Sequence, residues 1–166
     1  MTFLGIGHAC AIMVGNEIGA GNRQRAHEIG GVFLIYGFFG SVLMGAIYGL
    51  IAPQLLSLYN ISEISANFAR QIIWIYSLTI WIRATNFMLF IGILRAGGDT
   101  RFALIVESCT IWFVGVPAAL IGGFVLHLPV YWVYAMVLGE EVVKALIVLP
   151  RYKSKAWIHN LVSDPA

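Results

Sequence analysis

The chain has 166 residues, of which 60% are hydrophobic and 11% charged, and its formal net charge is +2. Soluble proteins average about 45–50% apolar and about 25% charged residues, so a water-soluble globule of this composition would expose wide apolar patches, and a disordered chain needs far more charge. The weak net charge and lack of a basic run argue against a nucleic-acid partner, which leaves an all-α polytopic membrane protein; at about 20 residues per span plus a short loop, this length holds roughly four to six spans.

Charge gaps locate the spans, because the bilayer core excludes charge. Thr2 to Asn16 is charge-free but reaches only about 22 Å at about 1.5 Å per residue, short of the about 30 Å hydrocarbon core. The chain is therefore expected to begin partway through a helix. Met1 leads straight into apolar sequence without a basic n-region or a small-residue cleavage site, so no signal peptide is read. Gly31 to Leu50 is a full span, with Pro53 marking its end region. Leu58 to Glu63 reads as a loop, with Ser62 or Ser65 as cap candidate.

Asn67 to Ala96 is the next long helix, interrupted only by Arg70, Arg83 and Arg95. In Ala96-Gly97-Gly98-Asp99-Thr100, two glycines stop one helix and Asp99 or Thr100 caps the next. Phe102 to Leu126 is a span with one acid, Glu107, and Pro117 is expected to kink it. His127-Leu128-Pro129 is a turn, Val130 to Leu149 is the last span, and Pro150 closes it. The expectation is four full transmembrane helices plus one partial N-terminal helix, with residues 1–150 forming the bundle and 151–166 a tail. No run of alternating residues supports a β-barrel.

The basic residues orient the spans. Arg23, Arg25, Arg95, Arg101, Arg151, Lys153 and Lys155, seven of the ten Lys and Arg residues, fall at alternate polar ends. The positive-inside rule places those ends, and the C-terminus, in the cytoplasm of a multi-pass protein of the plasma (inner) membrane. Trp132, Trp157 and Trp74 fall near expected interfaces. Cys10 and Cys109 lie in apolar stretches and read as two buried thiols rather than a disulfide or metal pair.

Arg83, Glu107, Glu140, Glu141 and Lys144 remain inside the spans. Each charge costs about 2.5–3.5 kcal/mol at mid-helix, so each must face protein, water or a partner. Glu107 is six residues from Arg101 and Lys144 six from Pro150, about 9 Å deep each, so the two can pair across antiparallel helices. Arg83 and Glu140 share the midplane, at about 18 Å and about 16 Å. Within the last helix, Glu140–Lys144 and Glu141–Lys144 have i,i+4 and i,i+3 spacing. Three acids and two bases leave one carboxylate over, and a lone carboxylate at membrane depth readily takes up a proton. The five form either a coupling or gating cluster or an ion-pair network that fixes helix packing. Asn86, one turn from Arg83, bonds either substrate or a neighbouring helix.

Ser77, Thr79, Thr85 and Thr110 read as interhelical glue, and Gly15-xxx-Gly19 and Gly45-xxx-Gly49 match the close-packing pattern. Phe87, Phe90 and Trp112 either line a pocket for a lipophilic cation or face lipid. Asn60-Ile61-Ser62 is a glycosylation sequon. No phosphate-binding Gly-Lys-Ser/Thr, no metal spacing among the four dispersed histidines and no nucleophile–base pair appear, so no enzyme, cofactor or metal site is expected.

Gly5-Ile6-Gly7-His8-Ala9, then Val14 to Asn22, then Ala26 resembles a signature of the multidrug and toxic compound extrusion (MATE) family, one that closes the second helix of each half and enters the following cytoplasmic loop. Gly92-Ile93-Leu94-Arg95-Ala96-Gly97-Gly98-Asp99-Thr100-Arg101 resembles the family loop between the fourth and fifth helices of a half. Val116-Pro117, Gly123 to Pro129, Glu140 to Lys144, Arg151 and Lys155-Ala156-Trp157 are similar to the C-terminal end of clostridial-type members. The resemblance implies a segment from the later part of the eighth helix through the twelfth of a twelve-helix antiporter, lacking the N-terminal half. Such a transporter exports cationic, lipophilic, drug-like compounds in exchange for H⁺ or Na⁺ across the lipid bilayer. Some branches carry an acidic ion ligand on the tenth helix; here that helix has Arg83 instead, so the resemblance carries no sodium ligand over. A small accessory membrane protein that associates with partner helices and a lipid-linked sugar flippase are the other readings.

Overall fold

The computed structural model describes residues 2–56, 58 and 62–159, and among them all regular structure is helical. The sequon residues at 60–61 and the tail beyond 159 lie outside the described residues.

The first two helices are α1 (Thr2–Gly19) and α2 (Arg23–Leu56). With 18 residues α1 is about 27 Å long. It ends in a paired cap: Asn22 N–H donates to Glu17 O at 2.8 Å and Gly21 N–H to Ile18 O at 2.9 Å, with Gly21 at φ 82°. Only glycine adopts that φ without a Cβ penalty. Glu17 is tied into the same turn by Arg25, at 3.3 Å, and by Asn22 Nδ2, at 3.0 Å. The α2 helix ends at Leu56, within the end region that Pro53 marks.

The next rod begins with α3 (Glu63–Phe87), capped by Ser62, whose hydroxyl accepts from Ser65 N–H at 3.3 Å. It continues into a wide-turn segment, Met88–Leu94, whose bonds reach five residues back, as from Arg95 N–H to Phe90 O at 3.2 Å. The rod ends as α1 does: Asp99 N–H donates to Leu94 O, Gly98 N–H to Arg95 O, and Gly98 sits at φ 85°. Asp99 then stands at the N-cap position of the following helix, but its carboxylate makes no cap bond. That carboxylate is held by Arg151 instead.

The fourth rod runs through α4 (Thr100–Thr110), a wide turn at Ile111–Gly115, α5 (Val116–Leu120) and a second wide turn at Ile121–Val125. Pro117, where a kink is expected, sits in the first turn of α5. It lacks the N–H that would bond the carbonyl four residues back, and the widened register on both sides spreads the defect along the rod.

The last rod is divided: α6 (Val130–Val137) and α7 (Gly139–Lys153) meet at Leu138, and α7 runs past Pro150, where the sequence suggested an end. Three helices among the described residues are long and apolar enough to cross a membrane, over Arg23–Ala52, Glu63–Leu94 and Thr100–Val125. The expected fourth, Val130–Leu149, is not one of them, because Leu138 breaks it and Glu140, Glu141 and Lys144 interrupt its apolar run. The chain is an all-α, multi-pass membrane protein.

Without a hydrophobic force between helices in lipid, close backbone approach drives packing. Gly45 and Gly49 realise their pattern at the α2–α3 crossing: a Cβ at Gly45 would overlap Ser77 O, and one at Gly49 would lie 3.4 Å from the Trp74 ring. The α1 helix crosses the third rod at Gly7 and Gly92, where added Cβ atoms would lie 2.8 Å from the Phe87 ring and 3.1 Å from Cys10 Sγ. Gly15 and Gly19 make no such approach. Cys10 is buried as expected, whereas Cys109 is exposed on the rod surface.

The buried apolar core includes Val14, Ala26, Leu89, Ile93, Leu94, Val148 and Trp157. Trp157 is fully buried, so it is a plug rather than the interface anchor its position suggested; Trp74 and Trp132 remain exposed, at 47% and 55%. Ala substitution separates packing from propensity. Gly45→Ala is expected to destabilise the fold by about 1–3 kcal/mol through overpacking. Gly40→Ala, with no atom within 4 Å of the new Cβ, is expected to stabilise it by about 0.5–1 kcal/mol. Unfolding midpoints in detergent check the opposite signs.

Candidate functional site

The third rod presents Arg83, Asn86, Phe87 and Phe90 on one face, at the i, i+3, i+4 and i+7 spacing that keeps side chains together. The break at Leu138 gives α7 a helix start of its own, and its first turn holds Glu140 and Glu141. Carboxylates are favoured there by the helix dipole. Lys144 follows one turn later, and α4 supplies Glu107 from the facing rod. All six polar candidates line one cavity of about 630 Å³, inside the range of drug-sized sites.

Two ion pairs structure its wall. Lys144 Nζ lies 2.5 Å from Glu140 Oε1, and both side chains are about nine-tenths buried. Arg83 Nε lies 3.3 Å from Glu141 Oε1. Asn86 Nδ2 donates to the other Glu141 oxygen and to Glu141 O, both at 2.8 Å, so Asn86 bonds the neighbouring helix. Its Oδ1 is buried without a protein partner among the described residues.

These pairings depart from two expectations. Lys144 does not reach across to Glu107; it takes Glu140, one turn away on its own helix, where the backbone already sets the separation. Arg83 meets Glu141 rather than Glu140, because Glu140 turns into the seam against the fourth rod. There a Cβ at Gly115 would overlap the Glu140 carboxylate. Glu107 has no ion-pair partner among the described residues and is exposed toward the cavity.

Phe87 and Phe90 join Tyr76 and Tyr134 in the wall, while Trp112, 68% exposed, points away. Periodicity from Arg83 points to Tyr76, two turns back; Tyr134 and the Gly115 seat depend on how the last rod docks, which no local pattern encodes. The hydroxyls of Thr79, Thr85 and Thr110 bond their own helices, accepted by Ile75 O, Trp81 O and Val106 O at 2.7–2.8 Å. They back-bond within the turn rather than bridge helices. Ser77 serves the α2–α3 contact through its backbone oxygen, and its Oγ is buried without a partner among the described residues.

The Arg95–Arg101 loop stands apart from this cavity wall as a docking point for the chain's C-terminal segment. Asp99, 6% exposed, holds Arg151 Nε at 2.6 Å, with His159 Nε2 at 3.7 Å. The Arg151 guanidinium also lies 4.3 Å from the centre of the Phe102 ring. A Cβ at Gly97 would overlap the Trp157 ring and carbonyl, and His159 N–H donates to Gly97 O at 2.9 Å. Tyr152 OH donates to His27 O at 2.9 Å; burial pushes that phenol up to about 12, so it donates throughout the physiological pH range. Gly97, Gly98 and Asp99 are thus structural, while Arg95, Thr100 and Arg101 are exposed.

The comparisons with known proteins agree with this architecture. A family model described as MatE matches residues 1–142. Multidrug and toxin extrusion protein 2 of Oryctolagus cuniculus is 27% identical over 123 residues, which cover 74% of this chain and 20% of that protein. A probable multidrug resistance protein of Bacillus subtilis, YoeA, is 28% identical over 127 residues, 73% of this chain and 26% of that protein. The uncharacterized transporter YisQ of the same organism is 26% identical over 73 residues, 44% of this chain and 16% of that protein. No solved structure matches significantly. The chain therefore spans about a quarter or less of the length of these relatives, and it belongs to the MatE family.

Proposed function

We propose that this chain forms the ion-pair-lined wall of a secondary active efflux antiporter, which exports cationic, lipophilic compounds in exchange for H⁺ or Na⁺ and sits in the plasma membrane with its basic loops in the cytoplasm. One observation carries the reading: charged groups from three rods converge on one cavity whose remaining wall, Asn86 apart, is aromatic and aliphatic. The printed names of two relatives, which refer to multidrug and toxin extrusion and to multidrug resistance, point the same way.

The charges suit exchange. Lys144 pairs with Glu140 and Arg83 with Glu141, so among the described residues Glu107 is the cavity carboxylate without an ion-pair partner. A lipophilic cation gains there from Coulomb attraction and from the faces of Tyr76, Phe87, Phe90 and Tyr134. A small coupling cation satisfies the same carboxylate. Occupancy by one disfavours the other, and the effect is reciprocal by linkage. Rocking of two bundles about a central site then turns this competition into transport.

The same ion pairs also support a purely structural role, and two sets of variants separate the two. In vesicles carrying the gene product, including any residues encoded upstream of Met1, Glu141→Gln and Arg83→Gln are expected to lower gradient-driven dye efflux by about tenfold or more. Efflux at the wild-type rate in both rules the functional role out. Vesicles carrying these 166 residues alone are expected to move no dye.

Glu140→Gln leaves Lys144, 8% exposed, without its counter-charge and is expected to cost about 3–5 kcal/mol of stability. Adding Lys144→Met should restore most of that loss in a detergent melt. If the restored double variant also exports dye normally, the Glu140–Lys144 pair acts in packing alone.

A further inference from the structure

Two cavities meet at Glu107. Besides the large one, a smaller cavity of about 140 Å³ is bounded by Arg95, Thr100, Ala103 and Leu104. The two share Phe90, Ile91 and Glu107, so this carboxylate stands in their common wall. On its one side are Arg83, Glu140, Glu141 and Lys144; on the other the charged group is Arg95. Arg95 and Thr100, which line the smaller cavity, lie at the basic-loop end of the bundle and are exposed.

Size separates what each cavity admits. A water takes about 30 Å³ in the liquid, so 140 Å³ holds about four or five waters. That suffices for a partly hydrated small cation or a short water chain and excludes a drug-sized molecule, which needs at least about 300 Å³. Charge separates the acids. Glu140 and Glu141 are each compensated, at 2.5 Å and 3.3 Å, whereas Glu107 makes no ion pair among the described residues.

We infer that Glu107 is a cation port: a small monovalent cation, a proton or Na⁺, passes between the basic-loop side and the large cavity through the small one and is handed on at this carboxylate, while organic substrate is confined to the large cavity. The inference rests on the antiport reading and adds to it a residue, a side and a size limit. Arg95 at the mouth repels cations, so an ion that reaches Glu107 is not held tightly. That suits a transfer point better than a storage site.

The test uses the gene product in a background of Cys10→Ser and Cys109→Ser. Glu107→Cys is treated with a membrane-impermeant, positively charged methanethiosulfonate in inverted and in right-side-out vesicles. Ile105→Cys, on the same helix at an apolar position 62% exposed, is the control for a lipid-facing thiol. Glu107→Cys is expected to react from the basic-loop face and Ile105→Cys to stay unlabelled. Labelling of both, or of neither, overturns the port.

Efflux driven separately by a pH gradient and by a Na⁺ gradient identifies the ion. Glu107→Gln is expected to lower efflux under the effective gradient by about tenfold, with Glu107→Asp partly restoring it. Wild-type efflux in Glu107→Gln under both gradients overturns the inference even when the thiol labels. A wild-type protein that responds to neither gradient refutes the antiport reading instead, and the labelling experiment then still decides whether the water path exists.

Discussion

A buried ammonium cannot stand alone in a low-dielectric bundle, and Lys144 takes Glu140 as its ion-pair partner among the described residues. An exposed ion pair is worth about 0–1 kcal/mol, whereas stripping a buried one of a partner costs about 3–5 kcal/mol. The Lys144–Glu140 pair belongs to the second class, since both residues are 8% exposed. With Glu140 committed to Lys144 and pressed against Gly115, Glu141 is left to face the third rod. It takes Arg83 and Asn86 there. The last rod is thus fixed by charge to one neighbour and by close contact to the other, and the cavity is the space these constraints leave between them.

Away from the cavity, the rods are held by backbone proximity. The α2 helix approaches α3 at Gly45 and Gly49, and α1 approaches the third rod at Gly7 and Gly92. In lipid such contacts replace the hydrophobic force that would drive packing in water. This explains how α2 leaves Ile35, Tyr36 and Phe39 at 58%, 71% and 65% exposed without loss: lipid is as good a neighbour for them as protein. The basic-loop end uses a different device. There Trp157, Arg151 and His159 return to the Gly97–Asp99 turn and close the ends of several rods with one segment.

Much of this is legible in the amino-acid sequence, because the bilayer imposes simple rules. Charge-free stretches mark rods, Gly97-Gly98 marks a stop, and depth along a helix places Arg83, Glu107, Glu140, Glu141 and Lys144 where they can meet. Their partners were not legible. Equal depth made Glu107 as good a partner for Lys144 as Glu140, and the helix rotation that separates the two is set by the Gly115 contact. Pro150 misled for a related reason: its helix continues past it to Lys153. Trp157 read as an interface anchor because nothing local announces that Gly97 leaves a slot for its ring.

Most of the irregular turns border the cavity; the wide turn at Ile121–Val125 does not. The wide segment Met88–Leu94 contributes Phe90 and Ile91 to the large cavity, the wide turn Ile111–Gly115 contributes Ile111, and the break in the last rod contributes Leu138. Non-regular backbone at membrane depth is tolerated where it faces protein or a polar cavity and excluded where it faces lipid. The α2 helix, 34 residues long and absent from the cavity wall, has no such interruption. Regular helices resist bending, whereas wide turns and breaks are where a rod changes direction with the least loss of hydrogen bonding. Three rods therefore each bring an irregular turn to the cavity wall. On the antiport proposal, a change in charge at these groups acts on a part of the wall whose backbone yields more easily than a regular helix.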